Sequence, residues 1–375
     1  MYQAYLVETV TGQVGHRLAL VGNPSWSDEI NGTGTHSVTV TRSDLETVER
    51  KRFAPWYGSV LITYTNKEGE EVPAAAGPIQ SYPEITQGSV KIECRGIRAL
   101  LARRFVLKDG APGAVNTIKY EGMSLGTIAK RVVEVCQDRP GGELPIRYAT
   151  PTEYLSPGNQ RTYESWNIAN LSVDDVLTKL TEVIDGPQVQ FLPHFRDSSK
   201  QFIDWHMYTG TSVQPYISQF TVPDIDLTSD DNGVVDYSVA SVGTALTNRS
   251  YGTGAGEGEG TVVTYSENLN LVRKGYPFLE STFADSEITA DKIHRLKSAA
   301  ANEVENSQRM IDQVSLTIQA DHRRNPFGMI VAGCEISLTV PDLLVIKPGT
   351  YSMRVINISG GGANLQLELQ EVSLA

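Results

Sequence analysis

Runs of alternating apolar and polar residues fill the first hundred positions of the chain. The segment 59–65 (SVLITYT) is rich in β-branched and aromatic residues, and residues 66–69 (NKEG) have the composition of a tight turn. Such runs at short intervals are typical of a meander that closes into a barrel or sandwich. The other strands predicted here are residues 4–10, 17–21, 37–41 and 89–94.

The apolar residues change to helical spacing in the middle of the chain. Ser124 stands as an N-cap before one amphipathic stretch and Ser172 before a second, which ends at Gly186-Pro187. Asp175 occupies the capping-box position of the second helix. A hairpin formed by 188–192 and 202–208 follows, so the unit is helix, loop, helix, hairpin. The helix-spaced residues are Leu125, Ile128, Ala129, Val132, Val133 and Cys136, then Val173, Val176, Leu177, Leu180 and Ile184.

Strand patterns return in the last third, interrupted by one helix from 290 to about Met310 with a single apolar stripe. The predicted class is therefore mainly β with an α/β insert, α+β overall. We expect two β-barrel-like tube domains, 1–110 and 233–375, and a small helix–helix–hairpin domain at 111–232 between them; a duplication of the two β-rich domains is left open. The strands predicted here are residues 234–239, 261–265, 313–320, 335–340, 350–358 and 365–372, the last two joined by a glycine turn at 360–362.

The balance of charge narrows the function classes. Asp and Glu number 44 against 32 Lys and Arg, a formal net charge of -12, which disfavours gathering of nucleic acid or binding to a membrane surface. The local basic group Arg95, Arg98, Arg103 and Arg104 is interpreted as a solvated face or an interface. No run of about 20 apolar residues and no secretory leader pattern is present, which predicts a protein made in the cytoplasm.

Residues 252–260 (GTGAGEGEG) have a superficial likeness to a nucleotide-binding glycine loop. Two glutamates would repel phosphate, no Lys-Ser/Thr pair follows, and the next segment has a strand pattern. We interpret the segment as a flexible contact loop or hairpin tip in which Gly254, Glu257 and Glu259 meet a partner.

Other residues that could carry chemistry favour structural roles. The six histidines lack metal-ligand spacing, the three cysteines lie far apart, and no nucleophile motif is present. We predict no catalytic, cofactor or metal site and no enzyme activity, although carboxylates from separate strands leave a hidden hydrolase site open. Trp56 and Trp166 are predicted interface aromatics, with packing under their own loops as the alternative.

Several segments in order resemble the tail-hub proteins of siphophages that infect actinobacteria. They are Leu20-Val21-Gly22 leading to 26–32 (WSDEING), 95–104 (RGIRALLARR), 172–186 followed by 187–191 (PQVQF), and the turns at Val340-Pro341 and 347–349 (KPG). The likeness is to the minor-tail family akin to the ReqiPepy tail tip protein and, more remotely, to the trimeric baseplate hub of contractile-tailed phages.

The resemblance implies a structural subunit of the virion tail tip. Barrel-like tube domains would associate as a homotrimer with pseudo-sixfold symmetry and continue the tube of a long non-contractile tail. The expected partners are the distal tail protein ring, the tape-measure protein and other tail-tip proteins, with genomic DNA only passing through the lumen. The net charge adds the hypothesis of an acidic lumen that DNA does not stick to, with the charge lying wholly on the outside as the alternative. The alternative is a carbohydrate- or cell-wall-binding module, with weak hydrolase activity left open, for which Trp26, Trp56 and Trp166 are the best features; an unrecognised β-rich enzyme ranks third.

Overall fold

The computed structural model describes residues 1–108, 116–183, 185–286, 288–308 and 311–371. The predicted domain boundary at 110, the helix position Ile184, the helix end at Met310 and the strand end at Val372 lie outside these residues.

The described residues form strands β1 to β21 and helices α1 to α6, with 3-10 turns at Arg50–Phe53, Ser165–Asn170, Gly258–Gly260 and Ala290–Lys292. The strands are β1 Tyr2–Glu8, β2 Val14–Arg17, β3 Ser25–Glu29, β4 Thr35–Thr41, β5 Gly58–Thr65, β6 Glu71–Ile85, β7 Ser89–Arg95, β8 Ile118–Met123, β9 Ile146–Tyr148, β10 Asn159–Tyr163, β11 Val189–Phe195, β12 Ile203–Thr209, β13 Asp224–Asp226, β14 Val234–Val242, β15 Arg249–Thr253, β16 Val263–Glu267, β17 Glu280–Ala284, β18 Ile311–Gln319, β19 Glu335–Val340, β20 Gly349–Gly360 and β21 Asn364–Glu371. The helices are α1 Arg42–Leu45, α2 Arg98–Leu101, α3 Leu125–Gln137, α4 Val173–Thr181, α5 Asn270–Arg273 and α6 Ile293–Asn306.

The chain divides into two compact units. Unit 1 comprises the described residues of Met1–Ser238, Ser315–Leu343 and Lys347–Ala375, and unit 2 comprises those of Val239–Val314 and Leu344–Ile346. The predicted division at 1–110, 111–232 and 233–375 stays a prediction.

One large sheet of 13 strands organises the β structure and is mostly antiparallel. Its main path is β14-β18-β21-β20-β3-β4-β7-β6-β5-β1-β2, with β19 paired to β20 and β13 to β19. The mainly β class is confirmed. The layout as two barrel-like domains is not: within the described residues no barrel closes, because β3 from the start of the chain pairs with β20 from its end and merges both regions into one sheet.

The helices α3 and α4 confirm two local predictions. The Ser124 hydroxyl accepts a hydrogen bond from the Thr127 N–H at 3.1 Å, and the Ser172 hydroxyl accepts one from the Asp175 N–H at 3.1 Å. Their apolar faces pack in one core with Trp205 of β12 and with residues from β1, β5 and β6. The Trp205 indole N–H donates to the Ala76 carbonyl at 3.1 Å, which joins β12 to β6 within that core.

One strand prediction is corrected, and one long strand was missed. Only Arg17 of the predicted strand 17–21 lies in β2, because the chain then crosses from β1 to β4, with the Leu18 N–H bonded to Ala4 and the Val21 N–H bonded to Thr39. The long strand β6 escaped prediction because three prolines interrupt its pattern. Gly77 lies where a Cβ atom would overlap the Arg95 carbonyl, so glycine permits this close approach of β6 and β7.

Unit 2 is built on a three-stranded sheet in the order β16-β15-β17. Helix α6 covers one face of it with Leu296, Ala300 and Val304, all buried. A Cβ atom on Gly252 of β15 would lie 2.8 Å from Leu296 Cγ, so the helix approaches the strand through the space that this glycine leaves. The predicted helix from 290 is therefore confirmed in position, with a 3-10 turn in front of it.

Candidate functional site

The large sheet presents one continuous polar surface built by strict alternation along five of its strands. The register places Gln366, Ser359, Ser27, Thr35 and Arg95 side by side in one row across β21, β20, β3, β4 and β7. Because side chains alternate between the two faces of a strand, every second row points to this same face and continues its polar chemistry. We call this surface the polar sheet face: Ser25, Ser27, Glu29, Thr35, Ser37, Thr39, Thr41, Ser89, Lys91, Glu93, Arg95, Asn357, Ser359, Gln366 and Glu368.

Hydroxyl and amide groups dominate the polar sheet face. Its charged members are the three carboxylates Glu29, Glu93 and Glu368 and the two cations Lys91 and Arg95, and Lys91 lies 3.3 Å from Glu93. The surface is therefore nearly neutral, although the chain as a whole is acidic. It also contains no aromatic ring that could stack on a base.

The opposite face of the same strands is buried. The adjacent row contains Leu365, Gly360, Trp26, His36 and Cys94. Trp26 is 5% exposed and its indole N–H donates to the Tyr2 hydroxyl at 3.2 Å, so the expected cell-wall contact through Trp26 is wrong for this residue. Alternation alone explains it, because Trp26 points away from the side chains of Ser25 and Ser27.

Two titratable groups on this inner face line one small cavity of about 30 Å³. Burial raises the pKa of Asp28 to about 7, although Gln190 Nε2 donates to its carboxylate at 2.6 Å. Burial lowers the pKa of His36 to about 4, and its Nε2 lies 3.0 Å from the Val60 carbonyl, so the neutral ring carries its proton there. Both groups thus favour their uncharged forms.

A buried guanidinium joins the start of the sheet to helix α4. Arg98 is 3% exposed and donates to the Asp174 carboxylate, to the Asn31 carbonyl and, at 2.8 Å, to the Thr178 hydroxyl. The predicted solvated basic face is therefore wrong for Arg98. Arg104 donates to the Gly142 carbonyl, whereas Arg95 is exposed on the polar sheet face.

The predicted contact loop forms the tip of the hairpin between β15 and β16 in unit 2. The Gly254 N–H donates to the Val262 carbonyl at 2.6 Å, and a Cβ atom on Gly254 would lie 2.5 Å from the Ile288 carbonyl oxygen. Glu257 and Glu259 are exposed at the tip. The structure brings these three residues together, and their contact with a partner stays a prediction.

The two predicted interface tryptophans lie on different segments of unit 1. Trp56 has a φ of 68° and is 37% exposed, with the Arg103 guanidinium 5.9 Å from its ring. Trp166 lies in a 3-10 turn and is 75% exposed. Trp166 is thus the more accessible of the two, and the interface role of both stays a prediction.

Sequence reasoning missed an aromatic surface on unit 2. Arg249 of β15 lies within 5.0–5.9 Å of the rings of Tyr251, Tyr265 and Phe278. Its guanidinium also bonds the Glu267 carboxylate at 2.7 Å. Alternation in β16, which exposes Val263 and Tyr265 together, was the available signal. We call Arg249, Tyr251, Tyr265 and Phe278 the aromatic sheet face.

In the part of the chain that the structure describes, no group of three or more His, Cys, Asp or Glu side chains could hold a metal ion. Among the same residues, no helix is long and apolar enough to cross a membrane.

The fold is similar to that of solved tail proteins and of a chain in a VgrG complex. The tail protein from Neisseria meningitidis MC58 is similar over 99% of this chain and 96% of its own, with a TM-score of 0.56 and 11% identity. The 43 kDa tail protein of prophage MuSo2 from Shewanella oneidensis gives a TM-score of 0.55 at 11% identity, covering 99% of this chain and 98% of its own. A chain of the lidded Francisella PdpA–VgrG complex gives 0.55 at 10% identity, with all of this chain matching 53% of that one. No family model and no curated protein matches the sequence.

Proposed function

We propose that this protein is a structural subunit of a phage tail, located at the tail tip or baseplate hub, where copies of it assemble into a ring around the channel. The observation that carries the proposal is the shared fold with two tail proteins over nearly the whole length of all three chains. The finer form of the proposal is a homotrimer that continues the tube of a long non-contractile tail and contacts the distal tail ring, the tape-measure protein and other tip proteins.

In this assembly the polar sheet face lines the channel. Passing DNA would be retained by clustered cations, which bind phosphate, and by aromatic rings, which stack on bases. The polar sheet face has neither, since its two cations are offset by three carboxylates. A nearly neutral hydroxyl and amide surface supports passage without adhesion, and it replaces the acidic lumen expected from the net charge. The protein's role here is structural and needs no catalysis.

Electron microscopy of phage particles tests the location. Serum raised against the chain and labelled with gold should mark only the tail end of particles from the culture that carries the gene. Label that stays in the soluble fraction, on no particle, would contradict the proposal.

Thiol accessibility tests which surface faces the channel. A Ser359→Cys chain in assembled particles should react with a small maleimide and resist a 5-kDa polymer-linked maleimide, whereas the free chain should react with both. The native thiols Cys94, Cys136 and Cys334 are buried and give a low background. Equal reaction of particles with the large reagent would place Ser359 outside the channel.

A second function, binding of cell-wall glycan, is favoured by the aromatic sheet face. Tyrosine rings can stack on the apolar faces of sugars, and Arg249, Glu267 and Glu280 offer hydrogen-bonding groups beside them. The full chain should then sediment with purified cell wall, and Tyr265→Ser should abolish this. The matched control is Tyr237→Ser, which removes another exposed tyrosine, from unit 1. Equal loss with both variants, or no sedimentation of the wild type, would reject this function.

A further inference from the structure

Phe220 of unit 1 has an apolar side chain that is exposed to solvent. It is fully exposed, and Val222 beside it is 51% exposed. A side chain ties this segment to β19: the Gln219 side-chain amide donates to the Glu335 carbonyl at 2.8 Å and accepts from the Glu335 N–H at 2.7 Å. The Pro223 carbonyl accepts from the Ser337 N–H at 2.9 Å. A preorganised aromatic residue loses little freedom on binding, and such residues anchor protein interfaces.

An apolar groove of about 380 Å³ lies elsewhere in unit 1. Leu45 and Val90 form buried walls, whereas Ile85 is 62% exposed at its mouth. The Tyr82 hydroxyl is buried and has no hydrogen-bond partner among the described residues. We call this site the Tyr82 groove: Leu45, Val48, Phe53, Tyr82, Ile85 and Val90.

The charges beside the two features are opposite in sign. Arg42, Glu46 and Arg50 line the Tyr82 groove, and Lys51 and Arg52 follow in an exposed 3-10 turn. Arg42 pairs with Glu46 at 2.9 Å and Arg52 lies 4.0 Å from Glu49, so Arg50 and Lys51 carry the positive charge that these ion pairs leave over. Phe220 is followed within a few residues by Asp224 and Asp226, the first of them exposed. Opposite charges steer two surfaces together and fix their orientation. The Phe220 segment and the Tyr82 groove are therefore both apolar and carry adjacent charges of opposite sign.

We infer that Phe220 of one copy of this chain inserts into the Tyr82 groove of a second copy. The contact joins two different surfaces of the same protein, and head-to-tail contacts of this kind close into rings when their rotation permits. The inference rests on the proposed function, because a ring subunit needs such a contact with each neighbour, and it names the residues that form it.

Engineered disulfides test the contact directly. A disulfide requires Cβ atoms about 3.5–4.5 Å apart, so it reports close insertion. The full chain carrying both Ile85→Cys and Phe220→Cys should form covalent dimers and larger multimers under mild oxidation. A mixture of the two single variants should stop at dimers. The control pair, Ile85→Cys with Val213→Cys, places a thiol on another fully accessible position, 92% exposed, and should stay unlinked. Equal linking of both pairs, or none in the first, overturns the inference.

Sedimentation of untreated chains separates this contact from ring formation itself. Phe220→Ser should weaken self-association by on the order of 30-fold, the usual scale for a buried aromatic anchor, while Val213→Ser leaves it unchanged. If the wild-type chain forms rings and the Phe220→Ser chain forms them equally well, the contact through Phe220 is wrong and the ring itself is retained. A wild-type chain that stays monomeric, and whose double-cysteine variant never links, overturns both.

Discussion

In the large sheet of unit 1 and in the small sheet of unit 2 side chains alternate between the two faces, but the two sheets differ in which side chains they expose. In unit 1 the exposed side is mostly hydroxyls and amides, and the buried Arg98 guanidinium and the partly buried Asp28 carboxylate lie on the other side. In unit 2 the buried side is thin, with Ser250 and Gly252 facing α6, and the aromatic rings lie outside around Arg249. Aromatic residues are enriched at protein interfaces, and the aromatic sheet face has them whereas the polar sheet face does not. In the functions proposed above, unit 2 provides adhesion and unit 1 provides passage.

Removing the buried guanidinium of unit 1 should have the largest effect. Arg98→Ala leaves the Asp174 carboxylate and the Asn31 carbonyl without their donor, and we expect a loss of about 3 kcal/mol in the free energy of unfolding. Denaturant unfolding followed by tryptophan fluorescence measures it. Arg95→Ala, on the polar sheet face, is the control and should stay within about 0.5 kcal/mol. A change below 1 kcal/mol for Arg98→Ala would refute the idea that unit 1 depends on this buried network.

The pH dependence of unit 1 should reveal two opposing groups. Asp28 has a raised pKa, so its stabilising contribution to the free energy of unfolding is present below about pH 4 and is lost as pH rises towards 7. His36 has a lowered pKa, so its contribution is present above about pH 6.5 and is lost as pH falls towards 4. The two slopes share one pH window and should largely cancel in the wild type.

Single variants should uncover each slope in unfolding experiments from pH 4 to 7. Between pH 4 and 7 the free energy of unfolding of Asp28→Asn should increase by about 2 kcal/mol, because only the His36 slope remains. That of His36→Gln should decrease by about 2 kcal/mol, because only the Asp28 slope remains. The Gln side chain at 36 can still donate to the Val60 carbonyl. Parallel slopes in the two variants would show that the groups do not oppose each other.

A methyl group added between the strands and helix of unit 2 should have a moderate effect. Gly252→Ala places a Cβ 2.8 Å from both Leu296 Cγ and the tip of the Phe283 ring, so α6 must shift. We expect a loss of about 1–2 kcal/mol, measured by amide hydrogen exchange of β15. Gly260→Ala, where nothing lies within 4 Å, is the matched control. Protection of β15 that survives Gly252→Ala unchanged would contradict the tight packing of this unit.

Exchanging surface chemistry should change stability least. Tyr265→Ser on the aromatic sheet face should alter the free energy of unfolding by no more than about 0.5 kcal/mol, because the ring is half exposed. Chemical denaturation measures this alongside the cell-wall assay. A loss above 1 kcal/mol would mean that the ring packs for stability, and the contrast between the two sheets would then disappear.

Local patterns predicted the local structure well. The serines at 124 and 172 cap helices because a short hydroxyl side chain reaches the N–H three residues on, and this depends on nothing distant. The alternation in 335–340 likewise became β19. For the same reason the hairpin of β11 and β12 could be predicted, since its turn joins neighbouring segments.

What the sequence hid depends on pairing between distant segments. The polar sheet face exists only because β3 pairs with β20, and no spacing along the chain indicates that partner. Arg98 resembled its exposed neighbours because a buried guanidinium differs from a solvated one only through acceptors that come from Asn31 and α4. The tie between the Phe220 segment and β19 likewise depends on Gln219 and Glu335, which lie far apart in sequence.

The pairing of β3 with β20 also sets a schedule for synthesis. Ser27 and Asn357, which bond side chain to side chain at 3.0 Å, are separated by 330 residues. At the usual rate of translation, the early strand leaves the ribosome roughly 15 s to a minute before its partner exists. Throughout that interval β3 has β4 on one side and an open edge on the other. A nascent chain that is cut short before β20 would keep that open edge, and an open strand edge is a template for aggregation. Shielding of β3 by a chaperone during translation should therefore raise the yield of assembled protein.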